Sequence, residues 1–349
     1  MSDTSFEFGL DTFGDVTHDA SGTLKSQAQV LREVVDEAVL AEQVGLDCFG
    51  VGEHHRPDFA VSAPEVVLAA IAGKTSRIWL GSAVTVLSTD DPVRVFQRFS
   101  TLNALSNGRA EVILGRGSFT ESYPLFGYDM SQYEQLFEEK LELFAALIKG
   151  GPVTWQGGTR SALSRQIVYP PIESGTLRTW VGVGGSPESV IRAARYGLPL
   201  TLAIIGGSPT RFRPYVDLYK QSLERFGHPL QPIAVHSPGH VAATDDEAKN
   251  DVWPHYEAMM NRIGRERGWP PASRAQFEHE AGPNGALCVG SPATVAKKII
   301  NTVNALELSR FDLKYSSGTL SHEKMMKSIE LIGKEVAPRV REAGPIVKR

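Results

Sequence analysis

The chain has 349 residues, with 36 basic and 40 acidic side chains and a net charge of −4. This mild balance, without a basic block or arm, argues against nucleic acid as a partner. The apolar runs are strand-length, shorter than the roughly 20 residues that span a membrane, and no signal segment is evident, so no membrane association is expected. Cys48 and Cys288 have no metal or redox spacing, which makes a cytoplasmic location the simplest interpretation.

Short apolar runs alternate with longer amphipathic segments along almost the whole chain. The predicted strands are 6–13, 48–53, 78–87, 110–115, 179–184, 200–205, 233–243 and 310–315. The predicted helices are 25–44, 64–75, 92–105, 131–148, 187–196, 209–226, 245–263, 292–306 and 321–336. Apolar strands that alternate with helices indicate parallel βαβ units. Eight such units predict one (β/α)8 TIM barrel domain over 1–349, with an open doubly wound sheet as the competing arrangement.

Two segments interrupt this alternation. Residues 153–171 have apolar ends around the turn Gly157-Gly158, which predicts an inserted hairpin. Residues 265–285 are polar, contain Pro270-Pro271 and Asn284-Gly285, and show no periodicity. Because a long loop in a compact domain is usually functional or disordered, we interpret this segment as a lid loop over the barrel mouth.

The pair His54-His55 follows the second predicted strand, directly after Glu53. The carboxyl ends of barrel strands are where such folds build their active sites, and histidine transfers protons near neutral pH. Adjacent residues of a strand point to opposite faces, and no His-x-x-x-His or Cys/His cluster accompanies the pair, so no metal site is expected. The pattern favours one histidine as an acid/base with its neighbour structural, against the plainer interpretation of two surface residues.

Two glycine-containing turns follow the fourth and fifth predicted strands. Gly184-Gly185 precedes Ser186 and Ser189 at a helix start, where free N–H groups and hydroxyls attract an anion. Arg116, between two glycines, offers planar donors that suit phosphate oxygens. An ordinary capped turn and a surface ion pair remain the alternatives. Together, the turns favour a phosphorylated ligand more than either does alone.

Several segments, in their order and spacing, resemble the bacterial luciferase family of flavin-dependent monooxygenases. The segments that carry this resemblance over most of the chain are Glu53-His54-His55, 80–94, 105–109 with 115–117, 193–199, and 289–292 continuing to about 315. The resemblance implies a (β/α)8 barrel that binds flavin mononucleotide (FMN) at the mouth formed by the strand carboxyl ends.

The resemblance also assigns roles to individual residues. It implies that His54 is the active-site histidine and that a non-prolyl cis peptide between Ala83 and Val84 supports the flavin ring. The phosphate-binding positions that it implies are Arg116, the backbone at Ser118, the turn Gly185-Ser186, and Ser189. These positions include the two turns that the residues themselves indicate as anion sites.

Four positions depart from the luciferase pattern. Gly185 replaces a glutamate, Gly115 replaces the reactive cysteine, and Ser88 and Asp91 replace a proline and a histidine. These differences argue against light emission from a long-chain aldehyde and leave the substrate open.

The resulting hypothesis is an FMN-dependent monooxygenase that oxidises a small organic substrate. No Gly-x-Gly-x-x-Gly nicotinamide fingerprint is found, because Pro187 occupies the position of its last glycine, so a separate reductase is expected to supply reduced flavin. The alternatives are deazaflavin-dependent hydride transfer, a flavin-binding protein without turnover, and a metal-dependent hydrolase, which lacks a coherent ligand set. The apolar segment 64–75 and the resemblance indicate a homodimer.

Overall fold

The computed structural model describes residues 6–19, 21–117, 119–173 and 175–343. The strands of this part are β1 Glu7–Thr12, β2 Cys48–Val51, β3 Trp79–Ser82, β4 Thr85–Val86, β5 Ala110–Gly115, β6 Val153–Trp155, β7 Leu163–Gln166, β8 Arg178–Val183, β9 Leu200–Ala203, β10 Ile233–Val241, β11 Cys288–Gly290 and β12 Arg310–Lys314. The α-helices are α1 Gln27–Gln43, α2 Pro64–Ala72, α3 Pro92–Leu105, α4 Ser122–Leu125, α5 Tyr133–Leu147, α6 Pro187–Arg195, α7 Arg213–Phe226, α8 Asp245–Arg267, α9 Arg274–Ala281, α10 Pro292–Leu306, α11 His322–Leu331 and α12 Ala337–Glu342.

Eight of these strands form a closed parallel barrel in the order β1, β2, β3, β5, β8, β9, β10, β12, and β12 pairs again with β1. The predicted TIM barrel is therefore confirmed, and the open sheet is excluded. Because all eight strands run in parallel, their carboxyl ends meet at one rim. Every loop that follows a barrel strand reaches this rim, which is the barrel mouth.

Serine caps fix where several of the outer helices begin. The Ser186 and Ser291 side chains accept from the backbone N–H three residues later, and proline occupies the first helical position of α6 and α10. Ser208-Pro209 instead begins a short 3-10 turn over Pro209–Phe212, and α7 follows it. The predicted helix 209–226 is thus divided at its first turn.

Charged side chains are buried near the amino-terminal end of the barrel. Buried Arg310 pairs with Glu111 at 2.6 Å and with Asp312 at 2.8 Å. Burial, opposed by Arg310, raises the pKa of Asp312 to about 7. These ion pairs occupy the amino-terminal end of the barrel, opposite the mouth.

The predicted hairpin is confirmed, since β6 and β7 pair antiparallel around Gly157-Gly158. The predicted loop over 265–285 is corrected. Its first residues continue α8 to Arg267, and α9 occupies Arg274–Ala281.

Tertiary packing orders the segment that carries α9. Buried Phe277 contacts Trp253 and Tyr256 of α8. The Lys298 ammonium of α10 donates to the carbonyl oxygens of Glu280, Gly282 and Leu287, which satisfies the carboxyl end of α9. Neither contact can be predicted from the periodicity of the local sequence.

The predicted strand 78–87 is interrupted, because β3 ends at Ser82 and β4 begins at Thr85. Within the described ranges, no helix has the length and apolarity needed to cross a membrane. The same residues contain no group of three or more His, Cys, Asp or Glu side chains arranged to hold a metal ion.

Candidate active site

A cis peptide bond joins Ala83 and Val84, between β3 and β4 at the barrel mouth. Glycines surround it. A β-carbon on Gly52 would lie 2.3 Å from the Ala83 carbonyl oxygen, and one on Gly115 would lie 2.5 Å from a Val84 methyl group. One on Gly182 would lie 3.1 Å from the other Val84 methyl. These glycines allow the Ala83-Val84 peptide to pack directly against three neighbouring strands or their ends, and it forms a platform at the mouth.

Glu53 connects this platform to the histidine pair. One of its carboxylate oxygens accepts from the Val86 backbone N–H at 2.6 Å, and the other lies 3.1 Å from Nε2 of His55. The hydrogen bond to the Glu53 carboxylate raises the pKa of His55, and burial opposes this shift. Glu53 therefore connects His55, which follows β2, to Val86 of β4.

His54 lies in an aromatic enclosure and is 8 % exposed. Its ring centroid is 4.7 Å from those of Phe13 and Phe59 and 4.8 Å from that of Phe119. Its Nδ1 is 3.4 Å from a carboxylate oxygen of Glu121. A carboxylate beside one ring nitrogen orients the imidazole and leaves Nε2 to act on a ligand.

Glu121 was not predicted as a site residue. Burial alone would raise the pKa of its carboxyl, but hydrogen bonds from His54 and from backbone N–H groups outweigh burial, and the pKa is lowered. The Glu121 carboxyl is consequently ionised near neutral pH. Its only sequence signal is an acid within the aromatic stretch that begins at Phe119.

The two predicted anion-binding turns lie side by side, because β5 and β8 are neighbouring strands. Gly185 has a φ of +110°, and its carbonyl oxygen accepts from the Tyr215 hydroxyl at 2.7 Å. Ser186 caps α6 and lies 2.8 Å from the Ser189 hydroxyl. A β-carbon on Gly184 would meet no atom within 4 Å, so this turn is open to a ligand.

Arg116 lies over the Tyr133 ring, with its guanidinium carbon 5.0 Å from the ring centroid. Its guanidinium pairs with Glu134, whose other oxygen is 3.0 Å from Arg192 of α6. Glu134 thereby connects the turn after β5 with the helix that follows β8. Ser118, the remaining predicted phosphate-binding position, lies outside the described residues.

Glu134 would compete with a bound phosphate for Arg116. With FMN as a phosphorylated probe, we expect Glu134→Gln to strengthen binding by about two- to fivefold, because the variant removes one negative charge and the loss of an exposed ion pair costs little. Fluorescence titration with FMN measures this change. Glu138→Gln is the matched control, since Glu138 pairs with Arg192 and Arg195. Equal effects of the two substitutions would contradict the local explanation.

The carboxyl end of α8 lies against the loops that carry His54 and Phe119. Arg56 donates to both carboxylate oxygens of Glu266 at 3.0 and 2.6 Å, and Arg262 donates to Asp58 at 2.6 Å. Arg267 stacks on Phe119, with its guanidinium carbon 5.2 Å from the ring centroid. The segment predicted as a lid therefore contacts the mouth through a helix end.

A TIM barrel with a shielded histidine, a glycine-lined platform and two adjoining anion-ready turns at its mouth defines a class of cofactor-dependent barrel enzymes. Residues 12–306 match the family model described as luciferase-like monooxygenase. The chain belongs to this family and is a flavin-dependent oxidoreductase.

A curated relative illustrates the distance in sequence. The alkanal monooxygenase alpha chain of Photorhabdus luminescens is 27 % identical over 232 residues, which cover 64 % of this chain and 61 % of that protein.

Solved structures share the fold at low identity. Monooxygenase RslO1 from Streptomyces bottropensis has a TM-score of 0.82 at 21 % identity, covering 95 % of this chain and 99 % of that one. The oxygenating constituent of 3,6-diketocamphane monooxygenase from Pseudomonas putida, in complex with FMN, has a TM-score of 0.76 at 20 % identity, covering 96 % and 99 %. The coenzyme F420-dependent tetrahydromethanopterin reductase from Methanopyrus kandleri has a TM-score of 0.74 at 17 % identity, also covering 96 % and 99 %.

Proposed function

We propose that this protein is an FMN-dependent monooxygenase that receives reduced flavin from a separate reductase. The observation that carries the proposal is the arrangement of His54, the Ala83-Val84 platform and the two adjoining turns at one rim of the barrel. A flat ring system with a phosphorylated tail needs all three features: a surface, a proton-handling group and an anion site.

The residues present fit FMN. A phosphate is held by charge-assisted donors, which Arg116 and the hydroxyls of Ser186 and Ser189 can provide at the amino end of α6. The close approach of Ala83 to Gly52 leaves the platform without a projecting side chain on that side. Reduced FMN, when bound, supplies the electrons for reaction with molecular oxygen, one atom of which enters the substrate.

The protein's own residues have distinct tasks in this proposal. His54 holds and moves a proton at Nε2, while Glu121 orients its ring through Nδ1. The aromatic side chains of Phe13, Phe59 and Phe119 exclude water around that imidazole. The carboxyl end of α8, held by Arg56, covers the same region and belongs to the proposed lid.

Arg116→Gln tests the phosphate contact. We expect the variant to bind FMN about 10- to 100-fold more weakly, because a charge-assisted hydrogen bond is lost. Riboflavin, which has the same ring without the phosphate, should bind the variant and the unaltered protein equally. Fluorescence titrations with both flavins measure this difference. Equal weakening for riboflavin would place Arg116 elsewhere in the site.

Deazaflavin-dependent hydride transfer is the second candidate, and the fold shared with an F420-dependent reductase favours it. Parallel titrations with FMN and a deazaflavin cofactor separate the two. Tighter deazaflavin binding, without oxygen consumption when reduced FMN is supplied, would replace the first proposal. FMN binding without oxygen-dependent turnover across a substrate panel would instead indicate a flavin-binding protein.

We also propose a homodimer through the region of α2 and α3. Val66 is 70 % exposed on α2 and Leu105 is 64 % exposed at the end of α3, whereas Ile71 is buried. Exposed apolar side chains are the ones available to a second copy of the chain. Light scattering of the purified protein measures the oligomeric state directly.

A further inference from the structure

A second histidine faces the barrel interior. Nδ1 of His236, on β10, lies 2.8 Å from Oδ2 of Asp11, on β1. These strands are not neighbours, because β12 lies between them. The hydrogen bond therefore spans one strand and joins side chains that are 225 positions apart in the sequence.

The packing of Ala234 shows which way His236 points. Ala234 forms an apolar cluster with Ile113 and Trp180, and Val84 packs against it. These residues are on β5, β8 and β10, and β10 neighbours neither of the other two strands, so the cluster lies inside the barrel. His236 is two residues further along the same strand, on the same face and nearer the mouth.

Asp11 places this pair beside the platform. A β-carbon on Gly50 would lie 2.9 Å from Cβ of Ala83 and 3.0 Å from Cβ of Asp11. Phe13 lies between the two histidines, with its ring centroid 4.7 Å from that of His54 and 6.3 Å from that of His236. His236 and His54 thus approach the same ring from different strand ends.

The pair retains hydrogen-bonding capacity. Asp11 is 2 % exposed, and its Oδ1 is buried without a hydrogen-bond partner among the described residues. Nδ1 of His236 is occupied by Asp11, which leaves Nε2 to contact a ligand. The His236 side chain keeps 15 % of its surface exposed.

The surrounding charges favour a protonated imidazole. Burial lowers the pKa of His236, but Asp11 outweighs burial and the net shift is upward. Lys314 opposes the shift and Asp312 supports it, both from β12. A protonated ring held by Asp11 presents Nε2–H as a donor.

We propose that His236, positioned by Asp11, is a substrate-binding residue that donates through Nε2–H to an accepting oxygen, such as a carbonyl, on a largely apolar substrate. This inference rests on the proposed function, since it places the substrate beside the flavin platform. The apolar part of the substrate would contact the aromatic rings around His54. A group that only donates hydrogen bonds, such as an ammonium, has no place at this nitrogen.

Binding of 4-fluoroacetophenone to the FMN-loaded protein, followed by fluorine NMR, tests the inference. 1-Ethyl-4-fluorobenzene is the matched ligand without the carbonyl oxygen. We expect the ketone to bind the unaltered protein about 10- to 100-fold more tightly than this hydrocarbon. His236→Ala and His236→Gln should abolish the preference, while FMN affinity stays unchanged.

The preference should also depend on pH. Because the pKa of His236 is raised, its proton is retained below that pKa, and the preference for the ketone should disappear as the pH rises through it. His322→Ala is the matched control and should leave both the preference and its pH dependence unchanged. Its Nδ1 also lies 2.8 Å from a carboxylate oxygen, that of Glu37, and its pKa is also raised, but it lies between α1 and α11.

The outcomes separate this inference from the proposed function. Equal affinity for the two ligands, or a preference that survives both His236 substitutions, would overturn the inference. Loss of FMN affinity in both His236 variants would also overturn it, by assigning His236 to the cofactor or to stability. If the unaltered protein does not bind FMN, the proposed function fails, while the ligand comparison on the FMN-free protein still tests the role of His236.

Discussion

Replacing His54 with alanine is expected to slow the oxygen-dependent oxidation of protein-bound reduced FMN by about 10²- to 10⁴-fold. The reason is geometric: His54 is enclosed by three aromatic rings, and Glu121 is positioned to orient it through Nδ1. Stopped-flow absorbance in a single turnover measures the rate without knowledge of the natural substrate. FMN affinity should change little, because the proposed phosphate contacts lie at other strand ends.

Two further variants identify the cause of the effect. Glu121→Gln keeps the shape of the side chain but removes its charge, so we expect a smaller slowing, about tenfold. His228→Ala removes a histidine outside the site, where Nε2 lies 3.0 Å from the Arg195 carbonyl oxygen, and should leave the rate unchanged. A His54→Ala protein that reacts as fast as the His228→Ala protein would remove His54 from the mechanism.

Replacing Gly52 with alanine is expected to destabilise the protein by about 1–3 kcal/mol, as overpacking does. The new β-carbon would lie 2.3 Å from the backbone carbonyl oxygen of Ala83 and 2.5 Å from the Phe13 ring. Since a backbone atom cannot rotate away, the platform itself must move, and FMN affinity should fall as well. Chemical denaturation and flavin titration measure the two effects.

Gly73→Ala is the matched control for this substitution. Gly73 follows α2 with a φ of −71°, and a new β-carbon would lie 3.6 Å from the Ala70 carbonyl oxygen, which is an ordinary contact. The free energy of unfolding of the Gly73→Ala protein should equal that of the unaltered protein or exceed it slightly. If Gly52→Ala and Gly73→Ala proved equally stable, the close packing of Gly52 against Ala83 would not matter.

Periodicity predicted the barrel because each strand and helix buries a characteristic pattern of side chains. It misjudged two places where distant contacts decide the local structure. The strand 78–87 is divided at the Ala83-Val84 peptide, which packs against glycines from other strands. The segment 265–285 contains α9 because Phe277 packs against α8 and Lys298 of α10 donates to the carbonyl oxygens at the end of α9, rather than because its own sequence is periodic.

The sequence indicated some residues of the candidate site, and the residues that it did not indicate have a common feature. His54 and the turns at Arg116 and Ser186 follow strands directly, where a barrel collects functional groups. Glu121 lies 67 positions after His54, and His236 meets Asp11 across 225 positions. An isolated histidine in an apolar strand has no local signal that indicates a partner.

The amino-acid sequence by itself determined the alternation of strands and helices, the rim at which the candidate site residues gather, and, through residues such as His54, the resemblance to the luciferase family. Only the tertiary structure decided which side chains meet. It paired His54 with Glu121, joined His236 to Asp11, and set the Ala83-Val84 peptide among glycines. The physical reason is that periodicity records whether a side chain is buried, whereas the partner of a buried polar group depends on how the barrel closes.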